Sequence, residues 1–336
     1  MENIKNLLPK VKKYFKTNLH THTNISDGKL TPAEIKKAYK DLGYQVLSIT
    51  DHNVIVDYSA MNEPDLLFLT GMELNIDHED YRKRMDAPTY HLNLIAKRHD
   101  NLWSPGRIVG KFPNAAPFEE KMQCENMKLD YDAESVNAII AKANEKGFLV
   151  TYNHPTWSCQ SYPDYAILEG VWGVEVRNSE CCSLGNNDNN ERVLKDLLNL
   201  GNRILPLGSD DTHKPEAIGG AWIMVGAEKL TYESVIEALE KGDLYMSCGP
   251  EISALAMDEN VLKITCSDAK RITLETHGRY AKIATAEGEN WLNSAQFDLT
   301  DFILRANGNP DAYVRLTVTA PDGTYACSRA YYLNEL

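Results

Sequence analysis

Six short apolar runs between Tyr14 and about residue 223 each end or begin in side chains that bind cations, and this recurrence constrains the fold more than any other feature. His20-Thr21-His22 closes the first run, with Asp27 in the loop beyond; Thr50-Asp51-His52 closes the second and Gly71-Met72-Glu73 the third. His91 opens a fourth, Asn153-His154-Pro155 follows a fifth, and Ser209-Asp210-Asp211-Thr212-His213 follows the last. Six of the nine histidines fall in this set. Apolar runs of four to six residues that alternate with helices are the signature of βα units around a mostly parallel sheet. A barrel of that kind brings the carboxyl ends of its strands to one rim, so His20 and His213 can share a cavity.

The punctuation between the runs supports this reading. Thr31-Pro32-Ala33-Glu34 makes a capping box with proline at the first helical position, and Ile35, Ala38, Tyr39 and Leu42 then form one apolar face that Gly43 ends. Further helices are expected from Asp132 to Gly147, from Asn190 to Gly201 and from Thr231 to Gly242. Strands are expected near residues 14–19, 46–50, 66–70, 92–96, 148–152, 171–176 and 204–207. The segment 99–130, with Pro105, Gly106, Gly110, Pro113 and Pro117, breaks the rhythm and reads as a long loop that could wall a pocket. After Gly249-Pro250 the apolar residues alternate with polar ones, at Leu262/Ile264/Cys266, Ile272/Leu274 and Val314/Leu316/Val318, and Asp322-Gly323 suits a hairpin turn. With no convincing helix beyond that point, residues 250–336 are expected to form a small all-β sandwich, and residues 1–249 the α/β barrel.

An HxH pair on an extended strand places both imidazoles on one side, where they can grip one cation. Six imidazoles with Asp27, Glu73 and Asp210 give nine candidate ligands: His20, His22, Asp27, His52, Glu73, His91, His154, Asp210 and His213. Nine are too many for one ion and suit two or three, with Glu73 able to bridge. The mixed nitrogen and oxygen donors favour Mn, Zn or Fe over Mg or Ca. Three carboxylates against three divalent ions leave a local surplus of positive charge, so the cavity should draw a small anionic substrate. That surplus is local, because 35 Lys and Arg against 48 Asp and Glu give the chain a net charge of −13. Such a balance argues against non-specific binding to nucleic acid or anionic membranes. The opening MENIKNLLPKVKK has no apolar h-region, and no run is long enough to cross a bilayer. Seven cysteines without a CxxC pair fit reduced thiols in a cytoplasm.

Around the ligands, Glu175, Arg177 and Asn178 leave the sixth strand toward the same rim. Arg177 with Asn178 is the candidate substrate contact, although a salt bridge at a strand end accounts for Arg177 equally well. Asp211 could handle a proton near the metals or orient a ligand histidine. Trp157, Tyr162 and the 99–130 loop are candidates for lining an organic pocket.

His20-Thr-His22-Thr with Ser26-Asp27-Gly28, Thr50-Asp51-His52-Asn53, Gly71-Met72-Glu73, His91-Leu-Asn93, Asn153-His154-Pro155 and Ser209-Asp210-Asp211-Thr212-His213 together resemble the polymerase and histidinol phosphatase (PHP) family, in the family's order, over about residues 14 to 225. The resemblance implies a distorted (β/α)7 barrel that holds two or three metals and hydrolyses phosphoesters by a metal-bound hydroxide. It implies one metal on His20, His22, Glu73 and Asp210, a second on Glu73, His91 and His154, and a third on Asp27, His52 and His213. Glu73, Asp210 and His213 are then the expected catalytic groups. Gly219-Gly220-Ala221-Trp222, Leu244-Tyr245-Met246-Ser247-Cys248-Gly249-Pro250 and Tyr313-Val314-Arg315 resemble the branch related to the carbaryl hydrolase CehA, with a C-terminal β-sandwich. Because that branch includes a carbamate hydrolase, an amide, carbamate or ester substrate stays open beside a phosphoester, as does a non-catalytic protein stapled by its metals.

Overall fold

The computed structural model describes residues 4–10, 13–106, 111–185, 189–288 and 290–336. Local chemistry sets its helices. Helix α1 (Pro32–Asp41) starts where Thr31 and Glu34 form the capping box, and it buries Ile35 and Tyr39. Asp132 caps α2 (Ala133–Glu145) by accepting from Ser135 N, and Thr231 caps a later helix (Tyr232–Lys241) by accepting from Ser234 N. Between these last two lie α3 (Ser179–Ser183) and α4 (Glu191–Asn199), so Tyr232–Lys241 is α5.

The strands of the first half are β1 (Phe15–Asn18), β2 (Val46–Ile49), β3 (Leu67–Asp77), β4 (Thr89–Ala96), β5 (Phe148–Tyr152), β6 (Gly173–Asn178) and β7 (Leu205–Ser209). They lie in the order β7-β6-β5-β4-β3-β2-β1, and the ladder then continues through β8 (Trp222–Val225) and β9 (Leu244–Ser247). Pairing is parallel from β1 to β3 and from β5 to β7, but β4 runs against both β3 and β5. The sheet is thus less uniformly parallel than expected. The reversal explains why His91, near the start of its strand, reaches the same rim as ligands at the ends of theirs.

No strand ladder joins β7 to β1 among the described residues; the two meet just beyond their ends. Asp211 N donates to His20 O (2.9 Å), His22 N to Thr212 O (3.0 Å), and Asp210 N to Asn18 Oδ1 (2.9 Å). Below this seam β8 takes the other half of β1, pairing antiparallel over Phe15–Thr17. Gly208 lets β7 press against β8, because a Cβ there would sit 2.9 Å from Trp222 O.

The second half builds two facing antiparallel layers. One comprises Ile4–Asn6, β10 (Ile252–Asp258), β11 (Val261–Ala269) and a later strand (Leu292–Asp298). The other continues the main ladder from β9 through Tyr325–Ser328 and Tyr313–Thr319 to β12 (Arg271–Thr276) and β13 (Ala281–Thr285), so Leu292–Asp298 is β14, Tyr313–Thr319 β15 and Tyr325–Ser328 β16. The alternation read from the sequence is real: Leu262, Ile264, Cys266, Ile272, Leu274, Val314, Leu316 and Val318 share one buried core. Leu7 and Leu8 join that core, so the N-terminal segment packs with the second half. The expectation of no helix here is corrected by α6 (Thr300–Ala306), a short helix held by one buried side chain, Phe302; seven residues leave too little periodicity to recognise. None of the seven cysteines is paired in a disulfide. Among the described residues no helix is long and apolar enough to cross a membrane.

Candidate metal centre

His20 and His22 project together from the end of β1, as the HxH spacing requires, with their Nε2 atoms 3.1 Å apart and both rings fully buried. Opposite them stands Glu73, carried by β3 and reached by five histidines. Its Oε1 lies 3.1 Å from His20 Nε2, 3.1 Å from His91 Nδ1 and 3.2 Å from His154 Nε2. Its Oε2 lies 3.3 Å from His22 Nε2 and 3.0 Å from His52 Nδ1. On the open side, Asp27 approaches His213 Nε2 (3.4 Å), His52 Nε2 (3.5 Å) and His22 Nδ1 (3.9 Å). The loop carrying Asp27 is fixed by Asp51, which accepts from Thr23 N, Thr23 Oγ1 and Ser26 Oγ, each at 2.7 Å. Gly28 completes that turn, since a Cβ there would lie 2.6 Å from His22 O.

The two adjacent aspartates part company. Asp210, expected among the ligands, turns away from the histidines. Its carboxylate accepts from Gly219 N (2.9 Å), Gly220 N (2.9 Å), Ala221 N (3.1 Å) and Tyr44 OH (3.1 Å). Asp211 takes the place expected for it: Oδ1 lies 3.1 Å from His20 Nε2 and 3.0 Å from His22 Nε2, and Oδ2 3.7 Å from His154 Nε2. Asp211 adopts φ 50°, a left-handed conformation that Asp tolerates and that turns the chain at the rim. Asp211-Thr212-His213 repeats the i, i+2 spacing of His20-Thr21-His22, and that spacing is the sequence signal that singles out Asp211.

Eight of the nine expected ligands therefore converge, together with Asp211. Their atoms gather into four overlapping groups, each within 4.8 Å: His22, Asp27, His52 and His213; His20, His22 and Glu73; His20, His154 and Asp211; and His52, Glu73 and His91. Glu73 Oε2, Asp211 Oδ1 and His52 Nδ1 are buried with no hydrogen-bond partner although charged or ring atoms stand 3.0 to 3.1 Å away. Close approach without hydrogen bonding is what donors aimed at a shared cation produce, so the residues fit divalent ions.

The far nitrogens of the rings are held as ligand histidines require. His20 Nδ1 donates to Glu175 Oε1 (2.7 Å), His154 Nδ1 meets Ser158 Oγ (3.1 Å) and His213 Nδ1 meets Asp211 O (2.9 Å); His91 is the exception, its Nε2 facing the donor nitrogen of the Asn75 amide (2.6 Å). Electrostatics tell the same story. Burial disfavours charge on His22, yet the adjoining Asp211 and Glu73 carboxylates raise it to about 10; Asp211, Glu73 and Glu175 likewise overcome burial to raise His20. Against burial, the histidines hold Glu73 and Asp211 well below the usual carboxylate range. His52 goes the other way, lowered by burial and by His22. The cluster thus demands positive charge at its centre, which protons supply when cations do not. Asp210 differs, its carboxyl pushed up to about 6 by burial against the pull of three backbone N–H groups.

The expected substrate contacts are placed elsewhere. Asn178 Nδ2 donates to Glu175 Oε2 and Asp211 Oδ2, both at 3.0 Å, so it braces the ligand shell. Arg177 does not line the cavity; its charge is felt by Cys248 and Tyr325 on the side of the second half. The cavity over the cluster, about 380 Å³, is lined by Tyr81, Lys111, Trp157, Glu180, Leu184 and Lys214 in addition to the ligands. Trp157 and the 99–130 loop, through Lys111, contribute as expected, whereas Tyr162 is half exposed and outside the lining.

Residues 18–104 match the family model described as PHP domain. Among curated proteins, uncharacterized protein MJ1295 of Methanocaldococcus jannaschii is 26% identical over 117 residues, which is 31% of this chain and about half (49%) of that protein's length. Among solved structures, a two-domain protein from Bacteroides vulgatus containing a predicted PHP-like metal-dependent phosphoesterase aligns over 99% of this chain and 98% of its own, at 15% identity and a TM-score of 0.44. A lesion-specific endonuclease from Pyrococcus furiosus aligns over 68% of this chain and 56% of its own, at 14% identity and a TM-score of 0.41.

Proposed function

We propose that this chain, which belongs to the PHP domain family, is a metal-dependent phosphoesterase that hydrolyses a small anionic ester over two or three divalent ions. The observation that carries the reading is the set of buried, unpartnered atoms Glu73 Oε2, Asp211 Oδ1 and His52 Nδ1 at the centre of six histidines. One ion falls to His20, His22, Glu73 and Asp211, a second to Glu73, His91 and His154, and a third to Asp27, His52 and His213. The mixed donors suit Mn, Zn or Fe. When bound, such ions polarise the oxygens of a phosphoryl group and bring the pKa of a coordinated water toward neutrality.

The protein's own groups do the positioning. Glu73 would be the shared ligand, because Oε1 faces His20, His91 and His154 while Oε2 faces His22 and His52. Glu175 fixes the His20 tautomer through Nδ1 and steadies the loop of the next ligand by accepting from His154 N (3.1 Å). Asp27 and His213, the more exposed members, stand where an incoming ester first meets the cluster. Seven cysteines without a disulfide fit a cytoplasmic setting.

The test is metal analysis of the purified protein, paired with hydrolysis of phosphate monoesters, phosphate diesters and carbonyl esters with Mn or Zn added. Two or three bound ions with phosphate release support the reading. Bound ions with turnover of carbonyl esters alone would move the protein to carbamate or ester hydrolysis, and failure to retain any ion would overturn the metal centre itself.

A further inference from the structure

The cavity over the cluster has two unlike ends. At one end lies the Asp27, His52 and His213 group. Phe112 stacks on the His52 ring at 6.1 Å between centroids and 13° between planes, Lys111 Nζ sits 5.2 Å from the Phe112 ring, and Lys214 follows His213 directly. Lys111 and Lys214 are the basic side chains of the lining, and both are exposed, so their ammonium groups are free to move onto a bound anion. At the other end lie His91 and His154. The Trp157 ring packs edgewise on both, at 5.6 Å and 5.0 Å between centroids. Tyr81, on the connection between β3 and β4, also lines the cavity. Trp157 and Tyr81 are each only half-buried and line the cavity, so their remaining surface faces whatever fills it.

A volume of about 380 Å³ lies at the small end of ligand pockets, enough for a phosphoryl group and one ring but not for a polymer. Two lysines beside a cation cluster match a dianion better than the single charge of a diester. We propose that the substrate is a phosphate monoester whose leaving alcohol carries a flat apolar ring, seated against Trp157 and Tyr81, with the phosphoryl charge toward Lys111 and Lys214. The inference rests on the phosphoesterase reading above. In the reaction the oxygen of water bonds to phosphorus as the bond from phosphorus to the alcohol oxygen breaks. One proton of that water leaves with the alcohol and the other stays on hydrogen phosphate.

The test compares benzyl phosphate with propyl phosphate, both esters of primary alcohols, and measures by calorimetry the binding of benzylphosphonate and propylphosphonate to metal-loaded protein. The ring is expected to raise kcat/KM and affinity by about tenfold, the scale of one aromatic contact. Trp157→Leu, which keeps apolar bulk, and Trp157→Ala should both collapse that ratio toward one. Lys111→Ala and Lys214→Ala should raise KM for both esters alike and leave the ratio intact. Equal handling of the two phosphonates by the wild type, or a ratio unchanged in both Trp157 variants, overturns the proposal. If phosphonates bind with the ring preference but no phosphate ester is hydrolysed, the phosphoesterase reading fails while the aromatic seat stands.

Discussion

Replacing Asp210 and Asp211 separately by Asn should divide two tasks that adjacent carboxylates perform. Asp210 accepts three backbone N–H bonds and one from Tyr44. An amide offers one oxygen instead of two, so in either orientation at least one of those N–H groups faces an NH2 and is left unsatisfied, at about 1–3 kcal/mol. The charge assistance lost from the surviving bonds is offset by relief of the buried charge, which already pushes Asp210 up to about 6. Asp210→Asn should therefore destabilise the fold by about 1–3 kcal/mol. For a chain of 336 residues, at about 2.1 cal/mol/K per residue, that lowers Tm by roughly 1–4 °C. Asp211→Asn keeps a residue type that tolerates φ 50°, so the backbone turn survives while a charged ligand is lost. If metal affinity falls about a hundredfold, the stabilisation gained from saturating metal shrinks by about 2.7 kcal/mol. Calorimetric melting at pH 8, where Asp210 is ionised, with and without chelator and alongside metal content, separates the two. Asp210→Asn should melt early yet keep its full metal-induced rise and its ions. Asp211→Asn should lose most of the rise and at least one ion. Metal lost from Asp210→Asn and retained by Asp211→Asn would refute the assignment.

Glu175→Gln should weaken metal binding by about 10- to 100-fold in competition with a chromophoric chelator, because His20 Nδ1 loses its charged partner; unchanged affinity would remove Glu175 from the site. Arg315 is 2% exposed and donates to Glu191 Oε2 at 2.6 Å, so Arg315→Met should cost about 2–3 kcal/mol in urea unfolding, less than for a fully buried pair because Glu191 can rehydrate, and adding Glu191→Gln should recover part of the loss. Chelation should speed hydrogen exchange at the His22 and Asp211 amides, which bond across the seam, while the β2–β3 amides keep their protection; equal protection with and without metal would mean that the ions do not hold the seam.

The barrel strands and four of the helices were legible because their signals are local. Capping at Thr31, Asp132 and Thr231, and apolar runs such as Val46–Ile49, act within a few residues. The clustering of the six histidines was legible because each lies near a strand end at short spacing. What escaped depends on distant partners. Whether Asp210 or Asp211 faces the histidines is decided by the Gly219, Gly220 and Ala221 amides, which claim Asp210 from about ten residues downstream. Arg177 reads as an anion clamp from its place on β6, but it lies outside the cavity lining, and its charge is felt by Tyr325 and Cys248 in the second half of the chain. Lys111 carries no motif at all and matters only because its loop folds over His52.

The ligands are not spread evenly around the rim. His20 and His22 stand on one side of the gap in the strand ladder, Asp211 and His213 on the other, and the bonds that cross it include Asp211 N to His20 O, His22 N to Thr212 O and Asp210 N to Asn18 Oδ1. A ladder closed by regular pairing would fix those backbones whether or not the ions were present. An open one would give bound ions leverage, because a cation held by His20, His154 and Asp211 would add an attraction across a gap that the backbone spans with few bonds. Asp210 braces the same gap from beneath, through the turn at Gly219–Ala221 that leads into β8. Metal binding would then be coupled to ordering of the seam, with Asp210 holding the backbone turn, Asp211 facing the histidines, and one peptide bond joining them.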